Sequence, residues 1–458
     1  MTFRKFGKAL CMGALSAGIV FGISSCIESY AVGYLFVMGT TTASSGNNGI
    51  ITGYSIDHNT GKLTAIHGLP VSSGGANPVR AVLTLGSRFF YVLNRGVNGS
   101  GSGNCYGTGA NQCTNANIEE FAVGGNGILT PQATFFTQGI NPFRLIADTT
   151  GSYLLVLDHD SPDNANPSIT DSCARALGSA TTTCGDITVF KVDSTTGRLS
   201  LVVNAQVTAA SGQPLNYFPV PANPVDFLLS GGTVLTLTGT TTPASYPYTG
   251  GTSVWPYSYS STSGQLTLSQ NSAQPLGIHQ GTAIRNASGV IYVLDNEPIT
   301  ITFNGASTTS PSQILPFTVG TGGALQAEPS GTIPDDPTLG NPSDILVESK
   351  GKFVYLANQG NNVTGPNPES GIAGYFLTTA PAYQLSYIAG EPFGSGSGSQ
   401  CIVEDPSDQF IFEANQYDST VTGRVLDPNS GELNAMRVTS TYTLQGPPSW
   451  CLMDGRTN

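Results

Sequence analysis

The sequence predicts an all-β protein that folds as a seven-bladed β-propeller with four-stranded antiparallel blades. Three observations support this prediction: the composition, a repeat that recurs along most of the chain, and the patterns at the two ends. The 458 residues include 57 glycines and 29 prolines, and only 10% are charged. A helical protein would normally carry many Glu and Lys residues on its surface, so this composition argues against one.

The remaining composition limits the class of protein further. Hydrophobic residues make up 39% of the chain, which includes 18 Tyr and 20 Phe, so the chain can bury a core and wholesale disorder is excluded. The 17 basic and 29 acidic residues give a net charge of −12. Nucleic acid is therefore not an expected partner, since phosphate binding needs a basic face.

The N-terminus reads as a bacterial lipoprotein signal. A basic segment (4–8) precedes an apolar stretch (9–23) that is too short to span a bilayer comfortably, and the Ile-Ser-Ser before Cys26 resembles a lipobox. We expect a signal peptide over 1–25, a lipidated Cys26 and a tether over 26–33. The alternative is an ordinary secretory signal with a chance cysteine. The predicted location is the bacterial cell envelope, with a lipid anchor at the periplasmic face or the cell surface.

Export would place the later cysteines in an oxidising compartment, where disulfides form. After the signal cysteine and the lipidated one are set aside, six remain: Cys105, Cys113, Cys173, Cys184, Cys401 and Cys451. Proximity favours pairing Cys105 with Cys113 and Cys173 with Cys184, which leaves Cys401 to pair with Cys451. A zinc site is the alternative for the close pairs, but neither has CxxC spacing or a nearby histidine.

The first half of the repeat is Asn-Pro, an apolar strand, a tight turn, and a second strand that ends in Asn or Asp. Clear copies begin at Asn77-Pro78, Asn141-Pro142 and Asn341-Pro342, and weaker ones at Asn223-Pro224, His279-Gln280 and Gly398-Ser399. The second half is a hairpin whose turn ends in Gly-x-Leu. These hairpins reach Leu63, Leu129, Leu199, Leu266, Leu325, Leu433 and, in a degenerate copy, Leu385. Period-two alternation and Gly-rich turns indicate strands, and four strands per radial repeat are typical of a propeller.

The two ends of the chain predict how the ring closes. The pattern of residues 448–453 predicts an inner strand that no second strand follows. The pattern of residues 34–38 predicts a second strand that no inner strand precedes. Pairing these strands would complete a seventh blade and leave no open sheet edge. We therefore expect a single propeller domain over residues 34–458; a string of separate sandwiches is the alternative.

The Asn-Pro-x-Arg, Tyr-Val-Leu-Asn and Gly-x-Leu patterns resemble the seven-bladed propeller lactonase family, which includes bacterial 6-phosphogluconolactonases, and YVTN-type repeat proteins. The resemblance covers about residues 30–458. The resemblance implies the propeller fold. For an active member it also implies carboxylic ester hydrolase activity, in which Arg, His and Glu at the channel mouth open a sugar lactone. Arg80 and Arg144 match that Arg. Ala81 and Leu145 stand where the His is expected, and Gln416 stands where a Glu is expected.

Aligned repeats predict a functional mouth at the start of the inner strands. The loops after the second strands are long (95–117, 159–185, 240–252, 296–312 and 359–371), and rigid scaffolds place function on such loops. The position after Asn-Pro-x is occupied by Arg80, Arg144, Asp226, Thr282, Asp344, Cys401 and Cys451. The second strands end nearby at Asn94, Asp158, Asp295, Asn358 and Asn415, with His159 and Glu297 just beyond.

These residues give a binding hypothesis and a catalytic one. Arg80 and Arg144 are predicted to clamp a carboxylate or phosphate, because a guanidinium binds such groups with two parallel hydrogen bonds. The predicted ligand-binding set is Arg80, Arg144, Asp226, His279 and Asp344. The catalytic candidates are Arg80, Arg144, Asp158, Asp226 and Glu297. In a hydrolase, one of these carboxylates would accept a proton or position the attacking water. The alternative is a structural ring of Arg–Asp pairs that holds the blades in register.

Other motifs are weak. Asp158, Asp160 and Asp163 resemble part of a calcium loop but lack the glycine and the distal glutamate of an EF-hand, and we expect no metal and no cofactor. The favoured function is a membrane-tethered propeller that acts as a binding or envelope scaffold module through its rim loops. Its expected partner is a small anion or lactone, or another envelope protein, and only the lipid anchor contacts the membrane. A lactonase-type hydrolase is the alternative.

Overall fold

Seven antiparallel β-sheets form a closed ring in the computed structural model of the chain, which confirms the predicted seven-bladed propeller. The structure describes residues 30–41, 47–98, 105, 107–165, 171–177, 183–209, 211–239, 251–268, 273–287, 289–303, 305–360, 369–378 and 384–455. The predicted signal segment and Cys26 lie outside these residues. Within them, no helix has the length and apolar character needed to cross a membrane.

Six blades are built from consecutive chain, each running from an inner strand outwards. Blade 1 contains Pro78–Thr84, Phe89–Asn94, Asn117–Val123 and Leu129–Phe135. Blade 2 contains Ile140–Ala147, Tyr153–Asp160, Cys184–Val192, Leu199–Leu201 and Phe218–Pro221, and a ribbon of Asn204–Thr208 and Pro214–Leu215 follows its fourth strand. Blade 3 contains Pro224–Ser230, Thr233–Thr238, Ser253–Tyr259, Leu266–Leu268 and Gln274–Pro275.

The other three consecutive blades follow the same order. Blade 4 contains Gly281–Ala287, Val290–Asp295, Gln313–Val319, Leu325–Ala327 and Ile333–Pro334, with a ribbon of Ile299–Phe303 and Ala306–Ser310 in its rim loop. Blade 5 contains Pro342–Val347, Phe353–Asn358, Gly371–Leu377 and Leu385–Tyr387. Blade 6 contains Ser399–Glu404, Phe410–Asn415, Thr420–Leu426, Leu433–Ala435 and Thr441–Thr443.

The closing blade joins both ends of the described chain, as the sequence predicted. Its inner strand is C-terminal, and its other strands are N-terminal: Pro448–Asp454, Ala31–Thr40, Asn48–Asp57, Leu63–Ala65 and Val71–Ala76. Tyr34 pairs with Asp454 and Met38 with Trp450 in antiparallel register. The inner strands contact one another in sequence from Pro78–Thr84 round to Pro448–Asp454, so the ring has no gap.

Every inner strand carries a β-bulge near its start. In blade 1, Pro78 pairs with Asn94 and Arg80 with Leu93, so Val79 is the extra residue. The same irregularity occurs in the other six inner strands. The Asn of the Asn-Pro motif explains the entry to this bulge: Asn77 has φ 51° and Asn341 has φ 57°, a left-handed conformation that Asn adopts more readily than most residues.

Two tyrosines of the second strands form hydrogen bonds between neighbouring blades. Tyr355 donates a 2.6 Å hydrogen bond to the carbonyl of Gly431, which lies in the hairpin turn of the next blade. Tyr91 makes the same contact with Gly197. Gly431 has φ +74°, and a Cβ there would lie 2.5 Å from Phe353, so the turn needs glycine both for its conformation and for space. The glycine of the hairpin turn is therefore explained by how adjacent blades pack.

Three disulfides form as predicted: Cys105–Cys113, Cys173–Cys184 and Cys401–Cys451, with Cα–Cα distances of 5.2, 5.8 and 5.9 Å. The first braces the long loop of blade 1, and the second braces the loop of blade 2, which also contains the short helices Pro162–Ala165 and Asp171–Leu177. The third joins the inner strands of blade 6 and the closing blade. Each bond therefore fixes a rim loop or the point of ring closure.

Candidate functional site at the channel mouth

The bulges place two successive side chains of each inner strand at different levels of the channel. Bulges commonly redirect side chains next to functional sites. The extra residues Val79, Thr282, Ser343, Gln400 and Ser449 line a cavity of about 250 Å³ at the mouth. The residue after the bulge lies one level deeper. This difference in level explains why the bulge residue, such as Val79, and the residue after it, such as Arg80, carry different kinds of side chain.

The mouth cavity is lined mainly by neutral polar groups. Its other described lining residues are Arg80, Arg144, Asn341, Pro342 and Gln359. An amide chain holds one side: Asn341 Nδ2 donates to Gln359 Oε1 at 2.7 Å, and Gln359 Nε2 donates to Gln416 Oε1 at 2.7 Å. Gln400 Nε2 also donates to Gln416 Oε1, at 3.1 Å. Gln416 thus orients two lining amides at the position where the family resemblance implied a glutamate.

Hydroxyl groups that line the cavity connect neighbouring inner strands. Ser343 Oγ donates to Ser399 O at 2.8 Å, and Thr282 Oγ1 lies 3.3 Å from Pro342 O. Ser449 Oγ donates to Pro78 O. A hydroxyl that donates its proton keeps its oxygen lone pairs, so these groups remain acceptors towards the cavity.

Below the mouth lies a group of five charged side chains that we call the ionic layer: Arg80, Arg144, Asp226, Arg285 and Asp344. Asp226 accepts from Arg144 Nε at 3.0 Å and from Arg285 Nη1, and Asp344 Oδ1 accepts from Arg285 Nε at 3.0 Å. Burial raises the pKa of Asp226, but the guanidinium groups of Arg285, Arg144 and Arg80 outweigh it and hold that pKa below its ordinary value. The layer thereby links four consecutive blades, from blade 2 to blade 5.

Arg80 is the arginine of the layer that lacks a carboxylate. It makes no ion pair with any described residue, and its Nη1 donates to its own neighbour, Val79 O, at 2.7 Å. Its guanidinium lies over the ring of Trp450, 3.9 Å from the centroid, as expected of a cation–π contact. Burial, Arg144 and Arg285 lower the pKa of Arg80. With three guanidinium groups and two carboxylates, the layer carries one uncompensated positive charge.

The structure corrects two assignments in the predicted ring. At the pairing position of Arg80, blade 4 has Ala283 rather than Thr282, and the closing blade has Trp450 rather than Cys451. Thr282 is instead a bulge residue at the mouth, one position earlier. Cys401 and Cys451 pair although they lie one register position apart.

Arg285 and Trp450 are the site residues that sequence reasoning missed. Arg285 lies two residues beyond Ala283, so it shares a strand face with that small side chain and reaches both aspartates of the layer. The signal available in the sequence was Pro448 followed by Ser449 and Trp450, which places Trp450 in the same position as Arg80 after Pro78.

The remaining acid–base candidates lie away from the mouth cavity. His279 Nδ1 lies 3.0 Å from Glu297 Oε1, so the structure brings these two together at the rim, but neither lines the cavity. Asp158 is fully buried beside Asp186. Burial raises the pKa of Asp158 to about 7, and burial together with Asp158 raises the pKa of Asp186. The hydroxyl of Thr188 lies 3.3 Å from Asp158 Oδ2 and 3.4 Å from Asp186 Oδ1, so one side chain contacts both buried carboxyl groups.

The three candidate calcium ligands have separate partners. Asp160 Oδ2 accepts from Asn141 Nδ2 at 2.7 Å and from the backbone N of Gly107 at 2.8 Å, and Asp163 accepts from the Tyr217 hydroxyl at 2.7 Å. In the described part of the chain, the one metal-like grouping is Asp163 with Cys173 and Cys184. Those two sulfur atoms form a disulfide, so they are not thiolate ligands.

Comparison with solved structures identifies proteins that have a similar fold. A Bacteroides uniformis protein provisionally named a 6-phosphogluconolactonase superposes with a TM-score of 0.60 at 14% identity, covering 92% of this chain and 99% of that one. The Pseudomonas aeruginosa periplasmic gluconolactonase superposes with a TM-score of 0.59 at 18% identity, with the same coverage. The fold is similar to that of gluconolactonase propellers.

These likenesses concern the fold alone, because the identities are low. A protein from Lactobacillus plantarum gives a TM-score of 0.55 at 14% identity over 92% of this chain and 99% of its own. No family model matches the sequence, and no curated protein matches it either. The activity must therefore be argued from the residues at the mouth.

Proposed function

We propose that the protein is an exported binding module whose channel mouth takes a small, hydroxylated carboxylate. The observation that carries this proposal is the position of Arg80, a partly buried cation at the base of a cavity of neutral amides and hydroxyls, which has no carboxylate partner among the residues that the structure describes. A carboxylate would supply the missing negative charge and accept the free guanidinium donors. The surrounding amides and hydroxyl oxygens suit the hydroxyl groups of the same ligand.

Binding is favoured over hydrolysis because the cavity lacks an acid–base group. Among the described lining residues there is no Asp, Glu or His. Lactone opening needs a group that activates water within hydrogen-bond reach of the reacting carbon. Gln359, Gln400 and Gln416 are neutral and cannot serve as such a base, whereas they can hold a ligand in place.

A lactonase-type hydrolase is the second candidate, and two observations favour it. The propeller is similar to a periplasmic gluconolactonase, and the His279–Glu297 pair lies on the same rim as the mouth. A ligand that bridges from Arg80 to that pair would have a base available. The two candidates therefore predict different fates for a sugar lactone.

The experiment compares binding with turnover in one protein. Trp255 and Trp450 are the two tryptophans of the chain, so a Trp255→Phe variant reports the environment of Trp450 beside Arg80. Titration with gluconate should change this fluorescence, and glucono-1,5-lactone should not open faster than in buffer in a pH-stat assay. Accelerated ring opening that a Glu297→Gln variant abolishes would support the hydrolase instead. Absence of any response to gluconate would refute the binding proposal.

Export is also part of this proposal. The three disulfides are consistent with folding in an oxidising compartment. The lipobox-like sequence before Cys26 supports lipidation of that cysteine, and the lipid would be the anchor. The strand Ala31–Thr40 begins beside Asp57, at the end opposite the mouth, and finishes beside the mouth. An anchor at Cys26 would therefore attach the propeller by the face away from its binding cavity, which leaves the rim loops free for a ligand or an envelope partner.

A further inference from the structure

A second chamber lies below the ionic layer. Its volume is about 270 Å³, and the described residues that it shares with the mouth cavity are Arg80 and Arg144. The chamber extends along the inner strands to Ala147 and Asn286, which lie next to the strand ends on the face opposite the mouth. The ionic layer therefore separates two compartments of one channel.

Below the ionic layer, the described wall of this lower chamber is apolar except for Asn286, unlike that of the mouth. It includes Val82, Ile146, Leu228 and Leu452 from four different inner strands. A ligand rich in hydroxyl groups would lose its hydrogen bonds to water here and find no replacement along this wall. An apolar ligand would instead gain free energy by leaving water.

The ionic layer forms the ceiling of the chamber, which is lined there by Arg80, Arg144, Arg285 and Asp226. The Nε and Nη1 atoms of Arg285 bind Asp344 and Asp226, and its Nη2 is buried without a hydrogen-bond partner among the described residues, so Arg285 contributes positive charge to this ceiling. Arg80 and Arg285 both lie over Trp450, with guanidinium carbons 3.9 and 5.8 Å from the ring centroid. Two guanidinium groups thus flank one aromatic ring at the point where the layer has its excess positive charge.

We propose that the lower chamber is a second binding site, for a small carboxylate with an apolar body. The carboxylate lies beside Trp450, between the guanidinium groups of Arg80 and Arg285, and the body extends along Ile146 and Leu452. A volume of 270 Å³ equals that of about nine waters, at about 30 Å³ each, so a body of five to seven carbons fits. This site is distinct from the mouth site in ligand chemistry, in its apolar wall and in its use of Arg285.

The test uses the Trp255→Phe protein and two probes of matched shape. Cyclohexanecarboxylate should bind, as followed by Trp450 fluorescence and calorimetry, about ten-fold or more tightly than the neutral cyclohexylmethanol. The wall variants Leu452→Gln and Ile146→Gln lie on different strands, and each should weaken cyclohexanecarboxylate binding about ten-fold. Gln400→Ala, at the mouth, should leave it unchanged.

The outcomes separate this proposal from the proposed function. Gluconate binding that persists in Leu452→Gln and Ile146→Gln, together with loss of cyclohexanecarboxylate binding, supports two chambers with different ligands. Failure of cyclohexanecarboxylate to bind the parent protein overturns the lower site, whatever gluconate does. Equal affinity for acid and alcohol, or binding that is unaffected by both wall variants in folded protein, also overturns it. Thermal melts of each variant confirm that the protein is folded.

Discussion

Replacing Asp226 by Asn should destabilise the propeller strongly, because this carboxylate holds two guanidinium groups. Its oxygens accept from Arg144 Nε at 3.0 Å and from Arg285 Nη1, and its side chain is 3% exposed. Asp226 also accepts from the backbone N of Ile284 in the next blade at 3.2 Å. The neutral amide removes the charge and leaves both arginines partly buried and under-compensated.

The size of this effect follows from burial. Removing one partner of a buried ion pair typically costs about 3–5 kcal/mol of unfolding free energy, since the other charge stays buried. The exposed pair Lys350–Asp408 provides a matched control: its N–O distance is 2.6 Å, but its side chains are 63% and 29% exposed. Asp408→Asn should cost about 1 kcal/mol or less.

Urea unfolding of the oxidised protein measures both variants under the same conditions. Because Asp226→Asn raises the positive charge of the ionic layer, gluconate affinity should be kept or increased while stability falls. A loss for Asp226→Asn no larger than that for Asp408→Asn would refute the view that the ionic layer holds the blades together.

Three further predictions concern the anchor, the ring closure and a buried acid. Cys26→Ser should release the protein from the membrane fraction, and a variant that stays there would contradict lipidation at this residue. Non-reducing peptide mapping should recover Cys401 and Cys451 as one linked peptide pair, whereas free thiols at both would contradict the closure. Glu120 is fully buried, its carboxylate oxygens have no hydrogen-bond partner in the described part of the chain, and burial raises its pKa to about 7. The folded state therefore binds a proton more tightly than the unfolded state, and the parent loses stability as the pH rises from the unfolded pKa to about 7. Glu120→Gln should be more stable than the parent by about 1–3 kcal/mol above pH 7, with a smaller difference near pH 4.5; a difference that does not depend on pH would contradict this.

The fold could be predicted from the sequence because its signals are local. An Asn that adopts a left-handed conformation before Pro marks four of the seven inner strands, at Asn77, Asn141, Asn223 and Asn341. A Gly with positive φ marks the outer hairpin in six of the seven blades, as at Gly431. Ring closure was also predictable, since residues 34–38 and 448–453 each lacked a partner within their own repeat. Each of these features is determined by residues that lie close together in the sequence, so one sequence is enough to predict them.

The site was less predictable because it depends on register. The bulge interrupts the period-two alternation of each inner strand, and an error of one residue moves a side chain to a different level of the channel. Blade 4 lacks Asn-Pro, so counting from His279 placed Thr282 where Ala283 lies. Arg285 reaches the ionic layer from a position that no other blade uses, and no repeat pattern points to it. Arg80 and Arg144 look equivalent in sequence, yet of these two only Arg144 forms an ion pair with a described residue, Asp226.

The measurement that tests the central claim most directly is calorimetric titration of gluconate into the parent protein, Arg80→Lys and Arg80→Gln. Gluconate should bind the parent, and the neutral glucitol should bind much more weakly. Arg80→Lys keeps the charge but loses the two-pronged contact, so binding should weaken by about 1–3 kcal/mol, and Arg80→Gln should weaken it further. Both variants should lose no more than about 2 kcal/mol of unfolding free energy, because Arg80 has no ion pair among the described residues and only its contact with Trp450 is lost or weakened. Unchanged gluconate affinity in Arg80→Gln, or a loss of stability as large as that of Asp226→Asn, would contradict the assignment of Arg80 as the ligand-binding cation.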